Sequence, residues 1–225
     1  MCGIAGCLSK DLISRELINK TLLSMSNRGP DNQSSLNLQF NNKKLYFFHS
    51  RLSIIDLKTR SNQPFKFQNF TLIFNGEIYN FREIKAQLIS LGYKFKTESD
   101  TEVVIKAFSK WKTDSFNKFV GMWSIAIWDN KLKKLYLSRD RFGEKPFYYI
   151  MKNDEFYFAS ELRTLKILYK KQLEFNKSKI NNFIFKGYKS LYKDNETFIE
   201  HVKQVKPSEC LVLFKGKLTS EKYWK

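Results

Sequence analysis

Apolar residues recur along this chain with two periods, one near 3.6 and one near 2, and the two alternate by region. Leu12, Ile13, Leu17, Ile18, Leu22 and Met25 fall near helical spacing, which predicts an amphipathic helix over residues 11–26. Arg28-Gly29-Pro30-Asp31 ends it. The short apolar stretch before it, residues 2–8, reads as a first, buried strand. Residues 36–40 and 45–48 flank Asn41-Asn42-Lys43-Lys44 and predict a hairpin. Residues 70–74 read as a strand that stops at the turn-forming pair Asn75-Gly76. Helices follow at 81–91, with Gly92 placed to end the first of them, and at 101–111. Beyond that the period returns to 2. Strands at 124–128 and 134–138 flank Asp129-Asn130-Lys131, and 147–150 and 155–159 continue the sheet. Helical spacing covers 161–169 and 176–185, and 210–214 and 218–223 close a hairpin around Lys215-Gly216-Lys217. Many antiparallel strands, with helices in separate groups, predict a layered α+β fold.

The composition supports a folded chain. Of 225 residues, 42% are hydrophobic and 16% aromatic, enough to build a core and too many for a disordered segment. The longest apolar run, 120–128, contains Ser124 and is too short to span a bilayer. No basic segment followed by an apolar stretch and a cleavage site opens the sequence. No membrane is expected as a partner, and the expected location is cytoplasmic. Three cysteines cannot form a disulfide framework, and Cys2, Cys7 and Cys210 with His49 and His201 lack zinc-ligand spacing, so no metal is expected. The net charge of +18 is spread along the chain and mixed with acids, which reads as a solvated basic surface; a nucleic-acid site would gather its lysines and arginines.

The chemistry begins at the second residue. Once Met1 is removed, Cys2 carries a thiol and a free α-amine on one residue. That amine has an ordinary pKa of about 7.7 to 8.0, so it can take the thiol proton directly or through a water. Cysteine in second place also arises by chance. Three further segments bear on it: His49 to Asp56, Asn75 to Asn80, and Glu98 to Glu102. Each has a plain structural alternative. Arg51 can be a surface ion-pair partner, Asn75-Gly76 an ordinary turn, and Asp100 a helix N-cap with Glu102 in the first turn.

Taken in order, the segments resemble a family. Met1-Cys2-Gly3-Ile4-Ala5-Gly6, Arg28-Gly29-Pro30-Asp31, Arg51-Leu52-Ser53-Ile54-Ile55-Asp56, Asn62-Gln63-Pro64, Phe74-Asn75-Gly76-Glu77-Ile78-Tyr79-Asn80, Ser99-Asp100-Thr101-Glu102 and the run from Arg139 to Pro146 are similar to the class II glutamine amidotransferases, and within them to the asparagine synthetases. The resemblance is clearest over residues 2–165 and implies a glutaminase domain across 1–225. It implies the four-layer αββα N-terminal-nucleophile fold with two antiparallel sheets.

The resemblance also assigns roles. Cys2 is the nucleophile. Asn75, through its side-chain amide, and Gly76, through its backbone N–H, form the oxyanion hole. Arg51 clamps the glutamine α-carboxylate, a task suited to guanidinium. Asp100, with Glu77 nearby, takes the α-ammonium, and the backbone of Leu52, Ser53, Ile54 and Ile55 lines the pocket. L-glutamine is the implied substrate, no cofactor is needed for its hydrolysis, and a homodimer is compatible with the family. ATP and magnesium are implied only for a synthetase domain, in cis or in trans, whose Ser-Gly-Gly-x-Asp-Ser loop does not occur here. The sequence reaches Tyr223-Trp224-Lys225, about where the family's linker to that domain begins, so a truncated product or the glutaminase half of a longer protein is expected. Residues 175–205 fit the pattern loosely and receive no role. A non-catalytic glutamine-binding or regulatory module, and an amidotransferase for another acceptor such as a sugar acid, are the alternatives.

Overall fold

The computed structural model describes residues 1–40, 42–191 and 194–224. One sheet contains β1 (Gly3–Ser9), β2 (Asn32–Phe40), β3 (Lys43–Arg51), β8 (Tyr148–Lys152), β9 (Glu155–Ala159) and β10 (Lys203–Gln204), in the order β10-β8-β9-β1-β3-β2. The second contains β4 (Phe65–Phe67), β5 (Phe70–Ile78), β6 (Gly121–Asp129), β7 (Lys134–Arg139), β11 (Glu209–Phe214) and β12 (Lys217–Lys222), in the order β12-β11-β7-β6-β5-β4. Every neighbouring pair is antiparallel.

Strand parity sorts the side chains into three apolar layers. Ile4, Leu45 and Phe47 of the first sheet meet Ile73, Trp128 and Leu137 of the second. The other face of the first sheet, with Ala5, Tyr46 and Phe48, packs on Leu165 and Leu168 of α5 (Leu162–Tyr169) and on Met25, which ends α1 (Arg15–Ser24). The other face of the second sheet, with Leu72, Phe74 and Ile125, packs on Leu88 of α2 (Phe81–Ser90) and on Val104 and Phe108 of α3 (Asp100–Trp111). The order is therefore helices, sheet, sheet, helices, the α+β arrangement expected. β3, with seven consecutive buried residues from Leu45 to Arg51, is covered on both faces, so Leu45 to Phe48 reads as an unbroken apolar run and the polar residues after it are buried too.

Several boundaries differ from the sequence pattern. α1 begins at Arg15 because the Ser14 hydroxyl accepts the Leu17 N–H at 3.2 Å; Leu12 and Ile13 stay outside it. α2 ends as Gly92 predicts: at φ 88° it donates to Ile89, while Tyr93 donates to Leu88. The pair Asn75-Gly76 does not turn the chain. β5 runs through it to Ile78, paired with Gly121, and Gly76 lies opposite Trp123. A Cβ on Gly76 would stand 2.1 Å from the Met122 carbonyl oxygen, so glycine serves close strand approach rather than a turn. α4 (Asp114–Lys118) and α6 (Lys177–Lys186) are the remaining α-helices among the described residues. β4 and β10 are too short to show a period. In the predicted hairpin at 41–44, Asn41 lies outside the described residues. No helix among the described residues is long and apolar enough to cross a membrane.

Candidate active site

The start of β1, the end of β3, the free edge of β5 and the start of α3 converge on one pocket. Every residue expected at the site except Ser53 lines it. Ser53 instead turns its backbone N–H to the Asp31 carboxylate at 2.6 Å, which anchors the loop after β3. Gln63, Thr101 and Lys145 also line the pocket, and no role was read for them in the sequence. Their motifs were visible, but nothing in residue type alone separates a pocket wall from a packed loop.

The Cys2 sulfur sits against the turn after β3. It accepts the Leu52 N–H at 3.4 Å, and its own thiol lies 3.7 Å from the Leu52 carbonyl. The Arg28 Nε donates to the Cys2 carbonyl at 2.8 Å while its Nη1 pairs with Glu161 at 3.1 Å. The Arg28-Gly29-Pro30-Asp31 segment thus fixes both the nucleophile, through Arg28, and the facing loop, through Asp31. With Met1 in place, burial pushes the Cys2 thiol above its ordinary pKa, the Leu52 N–H and the Met1 ammonium pull the other way, and the net shift is upward. The resting group is a thiol and needs a base to react.

The outer edge of β5 supplies the opposite wall. β4 covers this edge only as far as Leu72. Beyond it, the Phe74 N–H goes to the Gln63 side chain at 2.6 Å and the Ile78 N–H goes to Asp100 Oδ2 at 3.1 Å. Strand parity places the Gly76 N–H on the same edge, between those two, facing the pocket. Beside it is Asn75, fully buried, whose Oδ1 and Nδ2 have no hydrogen-bond partner among the described residues. A buried polar group left unpaired costs about 1–3 kcal/mol, so an orphaned amide in a pocket wall is a feature of a ligand site rather than of packing.

Two buried charges flank this edge. Asp100 lies in the first turn of α3, which Ser99 caps by accepting the Thr101 N–H; Asp100 is not itself the cap. Burial raises the Asp100 pKa, N–H groups of Ile78 and Thr101 and the Ser99 hydroxyl lower it, Glu77 raises it again, and the result is about 6. Arg51 is 5% exposed, which excludes a surface ion pair. Its Nη1 donates to the Lys58 carbonyl at 3.0 Å and Asn62 Oδ1 at 2.7 Å, and its Nη2 to the carbonyls of Ile55 and Asp56. The guanidinium therefore holds the loop that forms the pocket rim. Asp56 ties that rim to the start of α3: its carboxylate accepts from the Lys58 and Glu98 N–H groups and from Arg60, and these outweigh burial to hold its pKa at about 2.

A family model described as a glutamine amidotransferase domain matches residues 1–224. The chain belongs to that family. As a glutamine amidotransferase domain it is 34% identical over 233 residues to asparagine synthetase (glutamine-hydrolyzing) 1 of Bacillus subtilis, an alignment covering 100% of this chain and 35% of the relative. It is 33% identical over 219 residues to a putative asparagine synthetase (glutamine-hydrolyzing) 2 of Methanocaldococcus jannaschii, covering 86% of this chain and 42% of the relative. The domain thus spans between a third and a half of the length of these curated relatives. The glutamine phosphoribosylpyrophosphate amidotransferase of B. subtilis superposes with a TM-score of 0.71 at 17% identity, over 99% of this chain and 49% of that one. That likeness bears on the fold, and establishes the N-terminal-nucleophile arrangement of two stacked sheets.

Proposed function

We propose that this chain hydrolyses L-glutamine to glutamate and ammonia, with Cys2 as nucleophile and its α-amine, freed by loss of Met1, as base. The observation that carries this reading is the buried, unpartnered Asn75 amide in the pocket that holds the Cys2 thiol. The amine takes the thiol proton and the sulfur adds to the side-chain carbonyl carbon of glutamine. The oxygen becomes an oxyanion, to which Asn75 Nδ2 and the Gly76 N–H donate. The amine then passes its proton to the leaving nitrogen, the C–N bond breaks, and ammonia departs from a γ-glutamyl thioester. Water, losing its proton to the amine, attacks the thioester; the C–S bond breaks and glutamate leaves. Asp100 and Glu77 receive the substrate ammonium. Arg51 supplies the positive charge for its carboxylate and holds the loop from Leu52 to Ile55 that lines the pocket. No cofactor takes part.

The ammonia is destined for ATP-dependent amidation of aspartate by a synthetase domain, in cis or in trans, with ATP and magnesium confined to that step. The asparagine synthetases among the relatives support this acceptor. Ammonia release from L-glutamine by protein lacking Met1, measured beside Cys2→Ala, tests the glutaminase reading. Turnover in the wild type and none in the variant, with glutamine still bound, is the expected result; turnover by Cys2→Ala would remove Cys2 from the mechanism.

A further inference from the structure

Asn62-Gln63-Pro64 belongs to the sequence pattern but has no part in the chemistry above. β4 and β5 pair Phe67 with Phe70, Lys66 with Thr71 and Phe65 with Leu72. The same register, carried two residues further, sets Gln63 opposite Phe74. There the Gln63 side chain, rather than its backbone, closes the ladder. Its Oε1 accepts the Phe74 N–H at 2.6 Å, and its Nε2 donates to the Phe74 carbonyl at 3.3 Å. The second Nε2 proton goes to Thr101 Oγ1 at 3.3 Å. Gln63 is buried, 5% exposed, and its own carbonyl accepts the Ser34 hydroxyl on β2.

We infer that Gln63 is a positioning residue for both halves of the glutamine pocket, an assignment that rests on the glutaminase reading above. Through Phe74 it fixes the backbone one residue before the oxyanion donor Asn75. Through Thr101 it fixes the first turn of α3 one residue after Asp100. A single amide thus sets the distance between the group that meets the reacting oxygen and the group that meets the substrate ammonium. His49 supports it: its Nε2 lies 3.3 Å from the same Phe74 carbonyl, which can only accept, so the ring carries its proton on Nε2. Misplacing a reacting group by about 1 Å costs roughly a hundredfold in rate, so this amide has leverage although it touches neither sulfur nor substrate oxygen.

Gln63→Leu and Gln63→Glu in the full chain test the assignment. Gln63→Leu removes all three bonds; kcat should fall about tenfold to a hundredfold, and the Phe74 amide, left without an acceptor, should exchange its hydrogen faster by NMR. Gln63→Glu keeps the acceptor for Phe74, so that amide should stay protected, but its carboxylate cannot donate. Protonation restores one donor, so kcat relative to wild type should rise as pH falls. The charged or titratable groups around this position, Asp100 on α3, Arg51 and His49 on β3, Glu77 on β5, and Cys2 and Lys145 in the pocket, are present in both proteins, and the ratio of the two profiles reports the new carboxylate at position 63 and its effect on them. Wild-type kcat in Gln63→Leu, an unchanged Phe74 exchange rate, or a flat kcat ratio in Gln63→Glu would overturn the proposal. If wild type released no ammonia, the glutaminase reading would fall, and Phe74 exchange would still judge the Gln63 contacts.

Discussion

The pocket edge of β5 and the loop from Arg139 to Pro146 make opposite uses of buried polarity. In the loop Asp140 and Arg139 spend their polar atoms inside the protein. Asp140, 1% exposed, accepts from the backbone N–H groups of Trp123, Phe142, Glu144 and Lys145. Arg139 donates to the carbonyls of Lys145, Gly143 and Val205 and to Gln204 Oε1. On the β5 edge Asn75, equally buried, has neither amide atom paired. Asp140 and Arg139 hold the loop's shape; the edge's amide has no partner among the described residues. Saturation within the fold, rather than burial, separates Asp140 from Asn75.

The largest effect that could break this contrast is at Asn75. Asn75→Ala should lower kcat about a hundredfold or more, while the melting temperature stays level or rises, because an unpaired buried amide is removed. Loss of stability together with full kcat would mean that Asn75 is a packing residue after all. Arg51 stands between the two regions, since it lines the pocket yet spends its Nη protons on loop oxygens. Arg51→Ala should raise KM roughly tenfold to a hundredfold, the value of one charge-assisted contact, and should speed hydrogen exchange in residues 55–62. A KM change without the exchange change would assign Arg51 to substrate alone.

Asp140 gives the reverse result. Asp140→Ala leaves four N–H groups without their acceptor and should cost about 3 kcal/mol or more, a fall in melting temperature of roughly 6–12 °C. The folded fraction should keep kcat within about tenfold. A hundredfold loss of kcat at unchanged stability would place this loop in the chemistry.

The smallest effect is a pH dependence at Asp100. With a folded pKa near 6, above its unfolded value, its carboxyl favours the folded state fully when protonated, and this contribution is lost as pH rises through about 6. Glutamine binding runs the other way, because the substrate ammonium needs the ionised carboxylate. KM should therefore fall as pH rises through about 6 and level off above it. Asp100→Asn should keep KM high and flat across that range; a persisting inflection would assign it to another group.

Much of this was legible in the residues, and the gaps have physical causes. Long amphipathic periods located α2 and α3, and Gly92 marked a helix end through its left-handed backbone. Asn75-Gly76 misled because the residues that favour turns are the same ones that permit close strand approach; only the position of Met122 across the ladder decides between them. Nine of the ten expected site residues line the pocket, and the ordered motifs that resemble the family are what singled them out. Gln63 escaped because its contacts depend on partners on other elements, Phe74 on β5 and Thr101 on α3.

The central claim is that Cys2 forms the covalent bond to substrate. Protein lacking Met1 is mixed with L-glutamine, quenched in acid during turnover, and digested for peptide mass analysis. A glutamyl adduct on the peptide that begins with Cys2, lost on hydroxylamine treatment and absent from Cys2→Ala, is the predicted result. An adduct on Cys7 or Cys210, or steady ammonia release by Cys2→Ala, would contradict it.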